Sequence, residues 1–143
     1  MISINPYLNF MGNTEEAMQF YRSVFGGDFT ILQRFSDSPG HEKMPKKEQG
    51  MIMHASLPMG KANTLMATDT LESMGQTLIT GNNFSLVVTT ESEEETDRLF
   101  KALSAGGKIT MPLNKTFWGA YFGMCTDKYG IQWMLNYEIS AKQ

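Results

Sequence analysis

One pattern of secondary structure occurs twice along this chain, and it limits the possible folds more than any other feature. The segments "NTEEAMQFYRSVFGG" and "SEEETDRLFKALSAGG" superimpose at an offset of 79 residues, so that Glu15 falls on Glu94 and Tyr21 on Phe100. Both segments carry apolar residues at the spacing of one helix face. Strand-like segments flank both helices in the same order, so the sequence predicts two copies of a βαβββ module.

The two predicted helices have recognisable ends. Asn13 with Glu16, and Ser92 with Glu95, have the spacing of an N-terminal capping box. The pairs Gly26-Gly27 and Gly106-Gly107 follow the helices and are expected to end them. Because these glycines end helices, neither pair forms the strand-to-helix glycine loop that holds a nucleotide-like cofactor.

Eight strands are expected around the two helices. In the first module they are "YLNF", "DFTILQRF", "MIMHASL" and "NTLMATD", and in the second "NNFSLVVTT", "KIT", "AYFGMCT" and "IQWMLNY". The polar segment 36–50 between two of them is predicted to be a long surface loop, with a lid over a site as the alternative. A chain of 143 residues is expected to form one α+β domain, with module one at about 1–70 and module two at about 80–140.

Composition narrows the classes of partner. The net charge is -3 and the pI is near 5.3, without a long basic run, so we expect no nucleic-acid partner. No apolar stretch is long enough to span a bilayer, and the first ten residues lack the pattern of a signal peptide, so we expect no membrane association. The single cysteine, Cys125, fits a reducing compartment and is interpreted as a buried strand residue. These features favour a cytoplasmic protein.

Several segments together resemble a known protein family. The run "FWGAYFGMCTDKYGIQWMLN", with "PYLNF", "EEAMQFYRSVFGG", "HASL" and "LMATD", is similar to the PhnB-like branch of the glyoxalase, bleomycin-resistance and extradiol-dioxygenase superfamily, also called the vicinal oxygen chelate superfamily. The resemblance covers almost the whole chain in the same order. It implies paired βαβββ modules with curved mixed sheets around a cleft, and a homodimer. Some relatives carry a demethylubiquinone methyltransferase label, which the missing glycine loop does not favour.

The resemblance also implies where a divalent metal would be held. Enzymes of the superfamily take ligands from the first and last strand of each module, commonly His or Gln and then Glu. The corresponding positions here carry Tyr7 or Asn9, Met66, Asn83 or Ser85, and Met134. A shift of two residues would bring Asn136 into the last position. Because methionine replaces both carboxylates, we expect no metal site and no cofactor.

Strand alternation separates residues that would share the cleft from residues that would face the helices. If Met134 points into the cleft, Gln132 and Asn136 do so too, while Trp133 and Leu135 point to the helix layer. Met66 is then grouped with Thr64 and Thr68, and His54 with Ser56. The expected cleft residues are His54, Met66, Trp118, Tyr121, Gln132, Met134 and Asn136.

Acidic residues near strand ends are interpreted as structural. Asp127 and Gly130 have the chemistry of a hairpin turn, in which glycine supplies a positive φ. Asp69 ends "LMATD" in a similar way. His54 is therefore the best ionisable candidate for the cleft, as a ligand contact, a general base or a metal ligand, although a single strand histidine is more often structural.

Three functions compete at this point. The first is the binding of a small molecule in an aromatic, Met-lined cleft without a metal, as bleomycin-resistance proteins do. The second is a metal-dependent lyase, isomerase or dioxygenase-like enzyme with non-standard ligands around His54. The third is a dimeric scaffold in which the aromatic hairpin is a core or a subunit interface. We favour the first, with a small-molecule ligand as the partner.

Overall fold

The computed structural model describes residues 1–139 and contains two compact units, Met1–Ile79 and a second unit that begins at Thr80. The first unit contains the strands β1 (Tyr7–Phe10), β2 (Ile31–Arg34), β3 (Ile52–Met59) and β4 (Asn63–Asp69), and the helices α1 (Thr14–Phe25) and α2 (Lys46–Gln49). Its four strands form one mixed sheet in the order β1-β4-β3-β2. β1 runs parallel to β4, and the other pairs are antiparallel.

The second unit repeats this plan. It contains β5 (Leu86–Thr89), α3 (Glu93–Ser104), β6 (Lys108–Lys115), β7 (Ala120–Thr126) and β8 (Gln132–Glu138), and its sheet has the order β5-β8-β7-β6. α1 and α3 keep the offset of 79 residues at both ends, which confirms the predicted repeat of a βαβββ module. Within residues 1–139, no helix is long and apolar enough to cross a membrane.

Each long helix packs on one face of its own sheet. The buried side of α1 carries Ala17, Met18, Tyr21 and Val24, and that of α3 carries Leu99, Phe100 and Leu103. Against them lie alternate strand residues, such as Leu65 and Ala67 of β4 and Trp133 and Leu135 of β8. Every second residue of the strands and the apolar residues on one face of the helix therefore pack together in the core of each unit. The predicted burial of Trp133 and Leu135 is confirmed.

The start of α1 is capped differently from the prediction. Asn13 stands at the N-cap position, but its side chain makes no capping hydrogen bond. Instead, Oδ1 of Asp69 accepts hydrogen bonds from the Gly12 N–H at 2.7 Å, the Thr14 N–H at 3.2 Å and the Thr14 hydroxyl at 2.6 Å. Its Oδ2 accepts one from the Ile52 N–H at 2.8 Å. The buried Asp69 carboxylate thus joins the end of β4 to the starts of α1 and β3.

The second helix keeps the predicted cap. The Ser92 hydroxyl accepts a hydrogen bond from the Glu95 N–H at 3.1 Å, and the Glu95 carboxylate accepts one from the Glu91 N–H at 3.0 Å. The reciprocal bond therefore forms one residue earlier than in a standard capping box. Because both bonds use N–H groups that lack a partner within the helix, they stabilise the start of α3.

Asp127 shapes the turn between β7 and β8, as predicted. Its Oδ1 accepts hydrogen bonds from the N–H groups of Tyr129 and Ile131 at 2.8 and 3.1 Å, and its Oδ2 accepts one from the Trp133 indole at 2.8 Å. Gly130 has φ 90°, the left-handed conformation that glycine tolerates best. The turn and the largest core side chain of the second unit are therefore fixed by one carboxylate.

The segment between β2 and β3 is more structured than a surface loop. It contains 3-10 helical turns at Phe35–Asp37 and His41–Lys43, followed by α2. Glu48 of α2 is 1% exposed, and its carboxylate accepts hydrogen bonds from the backbone N–H and the hydroxyl of Ser73. This segment is thus anchored to the chain that follows β4.

We expect the Asp69→Ala substitution to destabilise the protein by about 2 to 4 kcal/mol, because it leaves several buried N–H groups without an acceptor. Chemical denaturation measures the loss. Asp28→Ala is the matched control, since Asp28 forms an ion pair with Arg22 while 85% exposed, and we expect it to change stability little. Equal effects of the two substitutions would contradict the structural role of Asp69.

The Cys125 thiol should be almost unreactive in the folded protein. It is 1% exposed, and burial, with a smaller contribution from the charge of Asp127, raises its pKa to about 11. Near neutral pH the thiol therefore stays protonated, whereas the thiolate is the reactive form. We expect an aromatic disulfide reagent to react at least about 100-fold more slowly with the native protein than with the chain in guanidinium. Similar rates in both states would contradict this placement.

Candidate functional site

The face of the first sheet opposite α1 carries the best candidate residues, and we call it the His54 face. The register pairs Met66 of β4 with Tyr7 of β1 on one side and with Ser56 of β3 on the other. In β2, Ile31 is paired with Ser56, and Gln33 is paired with His54. Side chains at directly paired positions lie on the same side of a sheet. The His54 face therefore consists of Tyr7, Asn9, Ile31, Gln33, His54, Ser56, Thr64, Met66 and Thr68.

His54 is the polar centre of this face. Its Nδ1 lies 3.0 Å from the Tyr7 hydroxyl, and its Nε2 lies 2.7 Å from the Ser56 hydroxyl. The Tyr7 and His54 rings lie beside each other, with centroids 5.5 Å apart and planes tilted by 41°. Both ring nitrogens thus have a hydroxyl partner, and the imidazole is held in one orientation.

The His54 face carries neither a carboxylate nor a lysine or arginine. The nearest acid in the sequence of these strands, Asp69, lies on the other face, where it caps α1. Arg34 of β2 bonds the Glu15 carboxylate of α1 at 2.6 Å and the Gly50 carbonyl at 3.0 Å. The hydrogen bond between Arg34 and Glu15 lowers the pKa of Glu15 and raises that of Arg34. Asp69, Arg34 and Glu15 are therefore engaged away from the His54 face.

The corresponding face of the second sheet is more apolar, and we call it the Met134 face. Met134 is paired with Val87 and Met124, and Asn136 with Thr89 and Phe122. Gln132 lies on the same side, where its amide donates a hydrogen bond to the Phe84 carbonyl. The Met134 face therefore brings together three of the expected site residues, Gln132, Met134 and Asn136.

Trp118 lies at the edge of the Met134 face. It belongs to the turn between β6 and β7, is 58% exposed, and its ring centroid lies 6.3 Å from that of Phe122. The neighbouring Phe117 is 98% exposed and meets Trp118 edge to face at 5.1 Å. These rings border an open groove of about 500 Å³ along β6, lined by Met111, Pro112, Leu113, Asn114, Lys115, Thr116, Phe117, Trp118 and Phe122.

Tyr121 does not share the Met134 face, although it was expected to join Trp118 and Met134. It is paired with Tyr137 of β8, at a position that points to the side of α3. Its hydroxyl donates a 2.6 Å hydrogen bond to Asp97 of that helix. This bond, assisted by burial and by the charges of Asp97 and Glu93, raises the pKa of Tyr121 to about 12. Tyr121 therefore fastens α3 to β7.

The residues present do not fit the divalent metal of the superfamily enzymes. Met66 and Met134 lie on the two faces at the positions expected for carboxylate ligands, and thioethers suit soft ions instead. Both ring nitrogens of His54 already have hydroxyl partners. Asn83 and Ser85, which were considered as ligands, precede β5. Among residues 1–139, no group of three or more His, Cys, Asp or Glu side chains is placed to hold a metal ion.

The sequence did not reveal the role of Tyr7 beside His54. The two residues are 47 positions apart, and they meet because β1 and β3 both pair with β4. Alternation within β1 does place Tyr7 opposite the buried Leu8, but it does not show which residues of other strands lie next to it. The pairing of residues between strands determines which residues lie next to Tyr7.

Comparisons with known proteins agree with the fold of both units. A family model described as 3-demethylubiquinone-9 3-methyltransferase matches residues 2–136. "Protein YjdN" of Escherichia coli (strain K12) is 33% identical over 141 residues, which cover 93% of each chain. Glyoxalase/bleomycin resistance structures from Burkholderia phytofirmans PsJN and Albidiferax ferrireducens T118, at 18 and 17% identity, share the fold with TM-scores of 0.58 and 0.62.

Two solved structures are more similar. Protein PA1353 from Pseudomonas aeruginosa is 39% identical with a TM-score of 0.85, covering 96% of this chain and 98% of that one. A putative 3-demethylubiquinone-9 3-methyltransferase, PhnB protein, from Bacillus cereus is 33% identical with a TM-score of 0.76, covering 95% and 99%. The chain therefore belongs to the PhnB-like family that the 3-demethylubiquinone-9 3-methyltransferase model describes.

Proposed function

We propose that this chain binds a small, uncharged organic molecule on the His54 face, without a divalent metal. The observation that carries the proposal is the pair of hydrogen bonds that hold the His54 ring between Tyr7 and Ser56. A few oriented polar groups beside apolar side chains are typical of small-molecule sites. Here Met66 and Ile31, which are paired with Ser56 from its two sides, supply apolar surface on the same face.

The charge of the face supports an uncharged ligand. A phosphate or carboxylate that leaves water is compensated most strongly by the charge-assisted hydrogen bonds of a lysine or arginine. The His54 face has no lysine or arginine to do so. We propose the Met134 face, with Trp118 at its edge, as a second ligand-contacting surface, where aromatic and methionine side chains supply contact area.

The methyltransferase description belongs to the family model, and we do not propose that activity for this chain. Gly26 is the C-cap residue of α1, and Gly27 follows it. In the second unit, Gly106 and Gly107 follow Ala105, the C-cap residue of α3. Both pairs therefore stand at helix ends, whereas a nucleotide-like methyl donor would need a glycine loop that opens a helix.

We further propose a homodimer and a cytoplasmic location. The dimer is supported by the exposed apolar residues Met111 of β6 and Phe117 of the turn after it, which line one groove. Exposed apolar surface of this kind commonly forms subunit interfaces. The buried, unpaired Cys125 fits a reducing compartment.

A ligand screen tests the binding proposal. We expect compounds from a library of uncharged aromatic molecules to raise the Tm of the wild-type protein, and His54→Ala to weaken their binding at least about tenfold, as loss of an oriented polar contact should. His41→Ala is the matched control. His41 is the other histidine of the chain, and it bonds the Ser38 carbonyl in a 3-10 turn.

Three results would contradict the proposal. The first is that no compound stabilises the protein, and the second is that hits bind His54→Ala as tightly as wild type. The third is that added Ni, Zn, Mn or Fe ions raise the Tm of the wild-type protein and of His41→Ala but not that of His54→Ala. That last result would favour the metal-dependent alternative.

Sedimentation analysis tests the dimer. We expect Phe117→Ser to shift the protein toward monomers, because it removes an exposed aromatic side chain from the proposed interface. Phe84→Ser is the control, since Phe84 is also exposed, at 61%, but lies outside the β6 segment. A wild-type protein that stays monomeric at high concentration would refute this interface.

A further inference from the structure

Tyr7, His54 and Ser56 form a continuous chain of hydrogen-bonding groups, which we call the imidazole chain. A neutral imidazole has one N–H donor and one acceptor nitrogen, while each hydroxyl can both donate and accept. In one arrangement, the Ser56 hydroxyl donates to Nε2 and the Nδ1–H donates to the Tyr7 oxygen, so that the Tyr7 O–H is available to donate outward.

The opposite arrangement also gives both ring nitrogens of His54 a hydrogen bond. The Tyr7 hydroxyl then donates to Nδ1, and the Nε2–H donates to the Ser56 oxygen. In this arrangement the Tyr7 oxygen keeps a lone pair that can accept a hydrogen bond from outside. The two arrangements differ only in hydroxyl orientation and in which ring nitrogen carries the proton, so the heavy atoms need not move.

The imidazole chain runs from a buried end to an exposed end. Ser56 is 5% exposed, His54 is half-buried, and Tyr7 is 45% exposed. A ligand therefore meets the chain at the Tyr7 hydroxyl, while Ser56 stays shielded. Whether that hydroxyl donates a hydrogen bond to the ligand or accepts one depends on which ring nitrogen of His54 carries the proton.

We propose that the imidazole chain is a reversible hydrogen-bond relay, which lets the Tyr7 hydroxyl donate to a carbonyl oxygen or accept from a hydroxyl group of the ligand. This inference rests on the proposed function and names the ligand class of the same face. The ligands are uncharged molecules with an apolar body, which packs beside Met66, and one hydroxyl or carbonyl oxygen, which bonds Tyr7.

Four single-ring probes test separately whether a hydroxyl group, a carbonyl group or a charge on the ligand affects binding. p-Cresol carries a hydroxyl, acetophenone a carbonyl, toluene neither group, and benzoate a charge. We expect NMR titrations to show that p-cresol and acetophenone both bind wild-type protein about tenfold or more tightly than toluene and benzoate, because only they satisfy Tyr7 without an uncompensated charge.

Two tyrosine-to-phenylalanine substitutions test whether binding depends on the Tyr7 hydroxyl. Tyr7→Phe keeps the ring beside His54 but removes the hydroxyl, and it should reduce the binding of p-cresol and acetophenone to the level of toluene. Tyr121→Phe removes a hydroxyl that bonds Asp97 on the helix side of the second sheet, and it should leave all four affinities unchanged.

Several outcomes of the titrations overturn the inference. These are tight binding of toluene or benzoate, equal binding to Tyr7→Phe and wild type, binding of only one of the two oxygen-bearing probes, and binding of none of the four. If the wider library still yields ligands that depend on His54, the proposed function stands while the relay fails. If the library yields none, the proposed function fails as well.

The relay also has a readout that needs no ligand. Because the chain has only two histidines, the ring nitrogens of His54 can be assigned by ¹⁵N NMR, with His41 as an internal reference. We expect Tyr7→Phe to shift the Nδ1 signal of His54, and Ser56→Ala to shift its Nε2 signal, each with a change in tautomer populations. A His54 spectrum that Tyr7→Phe leaves unchanged would overturn the relay.

Discussion

The Asp69 carboxylate holds the first unit together at the point where three of its elements meet. One oxygen binds the start of α1 and the other binds the first N–H of β3, while the residue itself ends β4. These contacts fix the strands at a register that aligns Met66 with both Tyr7 and Ser56. A slip of one residue would send every side chain of a strand to the opposite face. The arrangement around His54 therefore depends on a residue that takes no part in it.

The buried acidic residues of this protein have structural roles, and this explains why the His54 face carries no carboxylate. Asp69, Asp127 and Glu48 are each 3% exposed or less, and each accepts hydrogen bonds from backbone N–H groups. Buried carboxylates are stable when such donors replace the lost water. The His54 face is consequently made of hydroxyl, amide, imidazole, thioether and aliphatic groups. Such a surface favours oriented hydrogen bonding over charge pairing.

Features of the fold that depend on neighbours in the sequence could be predicted. The helix offset, the alternation around Trp133 and Leu135, and the turn at Asp127 and Gly130 all arise from local periodicity or turn chemistry. β6 was predicted only as "KIT", but it extends through Pro112 to Lys115. It is an edge strand, where a missing N–H is tolerated.

Features that depend on distant partners could not be predicted. The cap of α1 comes from Asp69, 55 residues beyond Thr14, and Tyr7 meets His54 across the sheet. The side of the sheet to which Tyr121 points depends on how β7 pairs with β8, and alternation within either strand does not determine this pairing. The sequence therefore identified most of the candidate residues, but which of them lie next to each other depends on the strand register.

The repeated module also shows how the two copies have diverged. α1 and α3 keep one offset, yet the register places Val87 beside Met134 in the second copy where Tyr7 stands beside Met66 in the first. The copies thus present different residues on equivalent faces, with hydroxyl and imidazole groups in the first and methionine and aromatic groups in the second. One repeated architecture therefore carries two chemically different surfaces, so a substitution on one face has no chemical equivalent on the other.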